Sequence, residues 1–290
     1  MVDLPRVADR VSFLYLDGAV IRQDETGVVA YSTGGNVRIP CASTLVLFLG
    51  AGTSISQSAA LTLARHGTTV VWTGVEGVGA SATVRPLTSS SGLAEAQAAA
   101  WADVEQRHRI ARRLFLERFP SDEVPSDTDL DTLRGLEGAR VRHCYERFRR
   151  IHDLPEWRRR QRAEDLDPVN IALNVANAML YDTAGAVIGA LGLSPALGFI
   201  HAGNVRAFAL DLADLYKTRS SIPSAFACAE SSDPGGDVRR SMRSYLADLR
   251  IHADMVRVIT GLFGDVGSED KNVIIGEGGY VEGGWSQEDR

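Results

Sequence analysis

The feature that most limits what this chain can fold into is a change in the period of its apolar residues near Thr88-Ser-Ser-Ser-Gly92. Before that point they come in short or alternating runs of β character, at residues 12–16, 18–22, 27–31, 36–39, 45–49, 69–72 and 81–85. Asp17-Gly18, Gly34-Gly35 and Gly50-Ala51-Gly52 separate several of these runs, and such residues tolerate turn geometry. Only residues 56–66 are helical in pattern here, opened by serine and closed by His66-Gly67. Strands at this spacing predict a small antiparallel sandwich. After the break, apolar residues recur at helical spacing. Helices are expected from Leu93 to a break at Phe119-Pro120, then over 130–152, 168–191, 207–216, 222–229 and 237–262. The expected fold class is therefore α+β: a β-rich domain over 1–88, an all-helical domain over 92–264, and a flexible acidic tail over 265–290.

Charge is distributed as unevenly as structure. The net charge of −6 conceals a basic middle, where residues 134–162 hold ten arginines against four acids, and a tail with seven acids against two basic residues. Only Lys217 and Lys271 among the 31 basic residues are lysine. Arginine's planar fork suits phosphate, although a coding bias toward arginine explains the same excess. The run Arg158-Arg159-Arg160-Gln161-Arg162 follows Trp157 and reads either as a solvated loop or as a phosphate contact beside an aromatic. Gly74-Val-Glu-Gly-Val-Gly79 superficially resembles a phosphate loop, but no Gly-Lys-Ser/Thr follows it, so a β-turn is the better reading. Cys41, Cys144 and Cys228 are odd in number and far apart, which points to three reduced, packed thiols. No apolar run reaches the roughly eighteen residues of a membrane span, and residues 1–10 lack the apolar stretch of a secretory signal. A cytoplasmic location and no membrane partner are expected.

Two segments carry chemistry. In Leu133-Arg-Gly-Leu-Glu-Gly-Ala-Arg-Val-Arg142, Glu137 stands between two glycines, with Arg134 and Arg140 about one turn to either side. A surface ion pair and a catalytic carboxylate both fit this pattern. In Gly198-Phe-Ile-His-Ala-Gly-Asn-Val-Arg-Ala-Phe-Ala-Leu-Asp-Leu-Ala-Asp-Leu-Tyr-Lys217, Asp211 and Asp214 share one helical face in apolar surroundings. Two like charges there are unfavourable without a cation between them. His201 precedes a glycine turn and could reach the same point, although a structural histidine fits as well. Taken together, these residues form an oxygen and nitrogen set suited to Mg²⁺ or Mn²⁺.

Arg-Gly-Leu-Glu-Gly-Ala-Arg, Gly-Phe-Ile-His-Ala-Gly and Asp-Leu-Ala-Asp-Leu, with Asp167-Pro-Val-Asn170 and Ala178-Met-Leu-Tyr181 between the first two, occur in one order along most of the chain. In this order and spacing the chain resembles the CRISPR-associated integrase of spacer acquisition, most closely its Cascade-type (I-E) form. The resemblance implies a metal-dependent DNA endonuclease and integrase. In such an enzyme the 3′-hydroxyl of a short DNA fragment attacks a phosphodiester of the CRISPR repeat. It also implies that Glu137, His201 and Asp214 hold Mg²⁺ or Mn²⁺, that Asp211 supports catalysis, and that Arg134 and Lys217 lie where DNA-contacting or site-supporting basic groups are placed, with Arg206 a further candidate DNA contact. The implied partners are double-stranded DNA (prespacer and repeat), a second copy of the chain in a homodimer, and a small second adaptation subunit. Asn204 stands where relatives often carry a basic residue. A structure-specific repair nuclease and a non-enzymatic DNA scaffold remain alternatives.

Overall fold

Alternating and continuous apolar runs both become strands. The computed structural model describes residues 12–50, 52–72, 81–83, 91–118, 128–154, 156–161 and 166–263. The glycine loop at 74–79, the end of the expected strand at 84–85, the Phe119-Pro120 break, Pro155, Arg162, residues 1–10 and the acidic tail lie outside them. Strands β1 (Ser12–Leu16), β2 (Val20–Asp24), β3 (Gly27–Ser32), β4 (Gly35–Ile39), β5 (Thr44–Leu49), β6 (Ser54–Ile55), β7 (Thr69–Trp72) and β8 (Ser81–Thr83) form two four-stranded sheets. One has the order β4-β3-β2-β6, with β2–β3 and β3–β4 antiparallel and β2–β6 parallel. The other has the order β1-β5-β7-β8.

The expected antiparallel sandwich is corrected here, because β1–β5 and β5–β7 pair in parallel. Helix α1 (Gln57–Arg65) provides the crossover that a parallel β5–β7 pair requires. Ser56 caps its N-terminus by accepting from the Ala59 amide. The signal was the character of β5, Thr-Leu-Val-Leu-Phe-Leu, whose apolar run is continuous rather than alternating. Such a strand is buried on both faces. Leu47, Leu49 and Val70 share a core with Ile21, Val28 and Ala30 of the other sheet and with Ala59 and Leu63 of α1. Val46, Phe48 and Val71, on the opposite face, join the core of the helices. Burying each of these larger side chains contributes about 1.5–3 kcal/mol.

The helices are α2 (Gly92–Ala102), α3 (Val104–Arg118), α4 (Leu130–Ile151), α5 (Pro168–Ala190), α6 (Ala207–Ala213), α7 (Ser221–Phe226), α8 (Pro234–Asp248) and α9 (Ile251–Phe263). The single helix expected over 237–262 is two, because Arg250 adopts φ +46° and ends the first. No glycine or proline marks that break in the sequence. Helix α5 starts from an Asp167 cap followed by Pro168, and α6, α7, α8 and α9 pack around it. By length and mean hydropathy it could cross a membrane, although Asn170, Asn174, Asn177 and Asp182 interrupt its apolar residues, and 67% of its most apolar window is buried inside the protein. Helix α4 is amphipathic instead. Leu133, Val141, Cys144, Tyr145 and Phe148 face the core, and Arg134, Arg142 and Arg147 face outward. The three cysteines are free thiols, two of them buried.

Candidate active site

The site forms where the C-terminal end of α3, the middle of α4 and the loop–helix unit around α6 meet. Asp211 organises it from inside. Its side chain is wholly buried and takes four donors: the amides of Phe199 (2.6 Å) and Ile200 (3.0 Å) on Oδ2, and the His201 amide (2.9 Å) and ring Nδ1 (2.7 Å) on Oδ1. An ionised carboxylate offers about four acceptor positions, so Asp211 is saturated. This corrects the expectation of a cation between the two aspartates. They share a helical turn, but Asp211 faces the loop amides while Asp214 caps α6 and faces Lys217 and Arg118.

The bond to Asp211 fixes the tautomer of His201 with the proton on Nδ1. That bond raises the imidazole's pKa, against the opposing effect of burial. The other nitrogen, Nε2, lies 4.0 Å from Asp214 Oδ2. The same oxygen lies 3.5 Å from Arg118, and the other Asp214 oxygen is 2.5 Å from Lys217 Nζ. The Lys217 ammonium also sits over the Tyr181 ring at 5.0 Å. Burial pulls the Lys217 pKa down, but Asp214 and Tyr181 outweigh it and the net shift is upward.

Arg118, whose side chain is 2% exposed, brings Glu137 into the same group by pairing with its carboxylate. Arg134, one turn earlier, pairs with Asp131 instead. Burial raises its carboxyl pKa, Arg118 opposes the rise, and Asp214 adds to it. Glu137, Asp214 and His201 thus converge through one guanidinium and one aspartate oxygen. Among the described residues no three ligating side chains stand close enough to hold a metal ion. The donor types, two carboxylates and a free imidazole nitrogen, nevertheless fit a hard divalent cation. The Asp211–Nδ1 bond is also the arrangement that usually orients a metal-binding histidine.

The remaining expected site residues surround this centre. Arg134 pairs with Asp131 at 3.1 Å and lines a groove of about 810 Å³ with Arg107, Arg109, Arg112, Phe199 and Ile200. Its wall includes Phe199, Ile200 and Ala202, the chain neighbours of His201, as well as the acids Glu105, Asp129 and Asp131. Arg206 is exposed at the start of α6, its amide held by Asn204 Oδ1 at 2.9 Å. The arginine run divides. Arg159 turns inward to Asn170 (3.0 Å) and Asn174 (2.7 Å), while Arg158 and Arg160 stay at the surface. Trp157 is packed against Phe226 and donates to Asp167, so it anchors the loop rather than presenting a stacking surface.

Three supporting residues carried no signal in the sequence: Arg118, Gln97 and Trp101. Gln97, wholly buried, donates to the carbonyls of Ser194 and Leu197 and accepts from the Ser194 amide. Trp101 donates to the Gly198 carbonyl at 3.1 Å. Together they hold the N-terminal end of the loop that Asp211 holds at its C-terminal end. Gly198 sits at the tightest point, where a Cβ would come within 2.6 Å of Ala207 Cβ and of the His201 carbonyl. Gly198→Ala should cost about 1–3 kcal/mol in urea unfolding and lower activity further by displacing His201. An unchanged midpoint would show that the loop tolerates a side chain at its narrowest point.

Asp182 on α5 lies near Arg206, and burial pushes its carboxyl up to about 7 from an ordinary 3.8. The folded protein keeps this proton over a range where the unfolded chain has released it, so stability falls as pH rises from about 4 to about 7. Asp182→Asn removes that dependence. It should gain about 1–3 kcal/mol over the parent at pH 8 and match it near pH 4, as read from melts at the two pH values.

Known proteins share this fold and much of its sequence. The family described as CRISPR associated protein Cas1 matches residues 116–222, the stretch that contains Arg118, Glu137, His201, Asp211, Asp214 and Lys217. A CRISPR-associated endonuclease Cas1 of Clostridium sp. (strain SY8519) is 36% identical over 278 residues, covering 93% of this chain and 92% of the relative. The chain belongs to the Cas1 family. A second Cas1 endonuclease, from Thermus thermophilus, is 36% identical over 292 residues, covering 99% of this chain and 90% of its own length. The crystal structure of the TtCas1–DNA complex superposes with a TM-score of 0.81 at 39% identity, covering 87% of this chain and 91% of that one. The same fold, at 15% identity, occurs in a casposase bound to integration product (TM-score 0.66) and in a Cas6-RT-Cas1–Cas2 complex (TM-score 0.67).

Proposed function

We propose that this Cas1 chain joins DNA as well as cutting it, inserting short DNA fragments into a CRISPR array by attack of a 3′-hydroxyl on a repeat phosphodiester. The observation that carries the reading is the convergence of Glu137, His201 Nε2 and Asp214 beside an arginine-lined groove. Glu137, His201 and Asp214 would hold one Mg²⁺ or Mn²⁺, which when bound polarises the phosphodiester and stabilises charge on the attacking and leaving oxygens. Asp211 keeps the His201 ring oriented, with Nδ1 turned to the carboxylate and Nε2 to the centre. Lys217 fixes the second oxygen of Asp214. Arg134 and Arg206, with Arg107 and Arg109, grip the DNA backbone, so binding weakens with salt by about 0.9 log units per neutralised phosphate per tenfold change in salt. These contacts position the duplex rather than read its sequence.

Two strand transfers complete one insertion, which fits a symmetric homodimer. The small second subunit is a Cas2, and the work is done in the cytoplasm. A Cas1–Cas2 complex containing this fold supports that partner. The Cascade-type (I-E) form is the subtype that the motifs favour. The test uses a labelled fragment ending in either a 3′-hydroxyl or a 3′-deoxy sugar. Joined product from the first and none from the second supports strand transfer. Nicked plasmid without joining, from either end, leaves a nuclease alone.

A further inference from the structure

Arg118 is the most deeply buried cation of the site, and the oxygens it holds are those a metal would need. Its guanidinium pairs with Glu137 and approaches Asp214 Oδ2 at 3.5 Å and the Asp211 carbonyl at 3.4 Å. Asp214 Oδ2 is also the oxygen facing His201 Nε2, since Lys217 takes Oδ1. Oδ2 is thus the Asp214 oxygen placed to join Glu137 and His201. The Phe115 ring flanks the guanidinium at 5.2 Å, so it is held on a rigid face and not on a mobile surface arm. The single positive charge of the guanidinium offsets one of the two carboxylates and Lys217 offsets the other, so a divalent ion entering between them meets two cations already in place and competes with Arg118 for the same oxygens.

We propose that Arg118 is the site's built-in counter-ion: it holds Glu137 and Asp214 in the metal-free protein and must yield their oxygens when the metal enters. This rests on the metal-dependent reading above. It lets the acidic centre fold before an ion binds. It also makes the metal-free site a self-neutralised, inactive form, so that metal affinity reflects a competition as well as the number of ligands.

The competition can be read without any DNA reaction. Mn²⁺ binding to the full-length chain is measured by calorimetry and by the loss of the free Mn²⁺ paramagnetic resonance signal, for the parent, Arg118→Met and Arg118→Lys. Arg118→Met should bind Mn²⁺ at least tenfold more tightly than the parent. Without metal it should melt at a lower temperature, and saturating Mn²⁺ should restore more of its stability than it adds to the parent. Arg118→Lys keeps the charge but not the fork and should fall between the two. It carries the comparison if Arg118→Met fails to fold. Equal or weaker Mn²⁺ binding by the folded variants would overturn the displacement while leaving the metal site standing. A parent chain that binds no Mn²⁺ would overturn the metal reading and this proposal with it.

Discussion

Replacing Asp211 by alanine is expected to destabilise the protein by about 3–5 kcal/mol, the range for breaking one side of a buried, fully paired charged group. Three backbone amides and the His201 ring lose their acceptor together, in a place where water cannot replace it. The 199–201 turn then has no reason to keep its shape, and strand transfer disappears with it. Asp211→Asn keeps one acceptor oxygen but turns an NH₂ toward donors, so it should lose about 1–3 kcal/mol and most activity. Urea unfolding followed by circular dichroism measures both. A loss below about 1 kcal/mol for the alanine variant would mean that the loop is held by something other than this carboxylate.

His201→Ala is expected to separate function from stability. The ring is 39% exposed in its side chain, and removing it leaves Asp211 with three backbone donors. The fold should lose only about 1 kcal/mol, the net worth of one hydrogen bond. Activity should fall by about a hundredfold to a thousandfold or more, as when one group stabilising transition-state charge is removed. Measured side by side, the two variants distinguish the roles of the two members of one hydrogen-bonded pair. A His201→Ala protein with parental activity would remove the imidazole from the site.

Much of this site was legible in the sequence because its residues lie in short segments. Asp211 and Asp214 are one turn apart, and a glycine turn presents His201 ten residues earlier. What spacing could not give was their orientation. Two aspartates on one turn look like a pair awaiting a cation, whereas the backbone amides of the preceding loop neutralise one of them. Arg118 was invisible because it reaches Glu137 across 19 residues and Asp214 across nearly a hundred, and a lone arginine at a helix end has no local signature. Gln97 was hidden for the same reason. In the sheets, the strand positions were readable from apolar runs, but direction was not. The turn residues between β2, β3 and β4 suggested hairpins throughout; the continuous runs of β5 and β7 hinted at parallel pairing, and the short parallel β2–β6 pair had no sign at all. The α8–α9 break depends on Arg250 taking a left-handed conformation, which residue type does not announce.

On the reading proposed above, Glu137, His201 and Asp214 together hold one divalent ion that serves DNA joining. The most direct measurement mixes the full-length chain and its small partner subunit with a repeat-bearing plasmid and a labelled duplex bearing free 3′-hydroxyls. Mg²⁺ or Mn²⁺ is titrated against chelator, with Asp214→Ala in parallel. The predicted result is plasmid-linked label that appears with metal, vanishes with chelator, and is absent in Asp214→Ala although the variant still binds DNA. Label joined at the parental rate by Asp214→Ala, or by the parent in chelator, would contradict the claim.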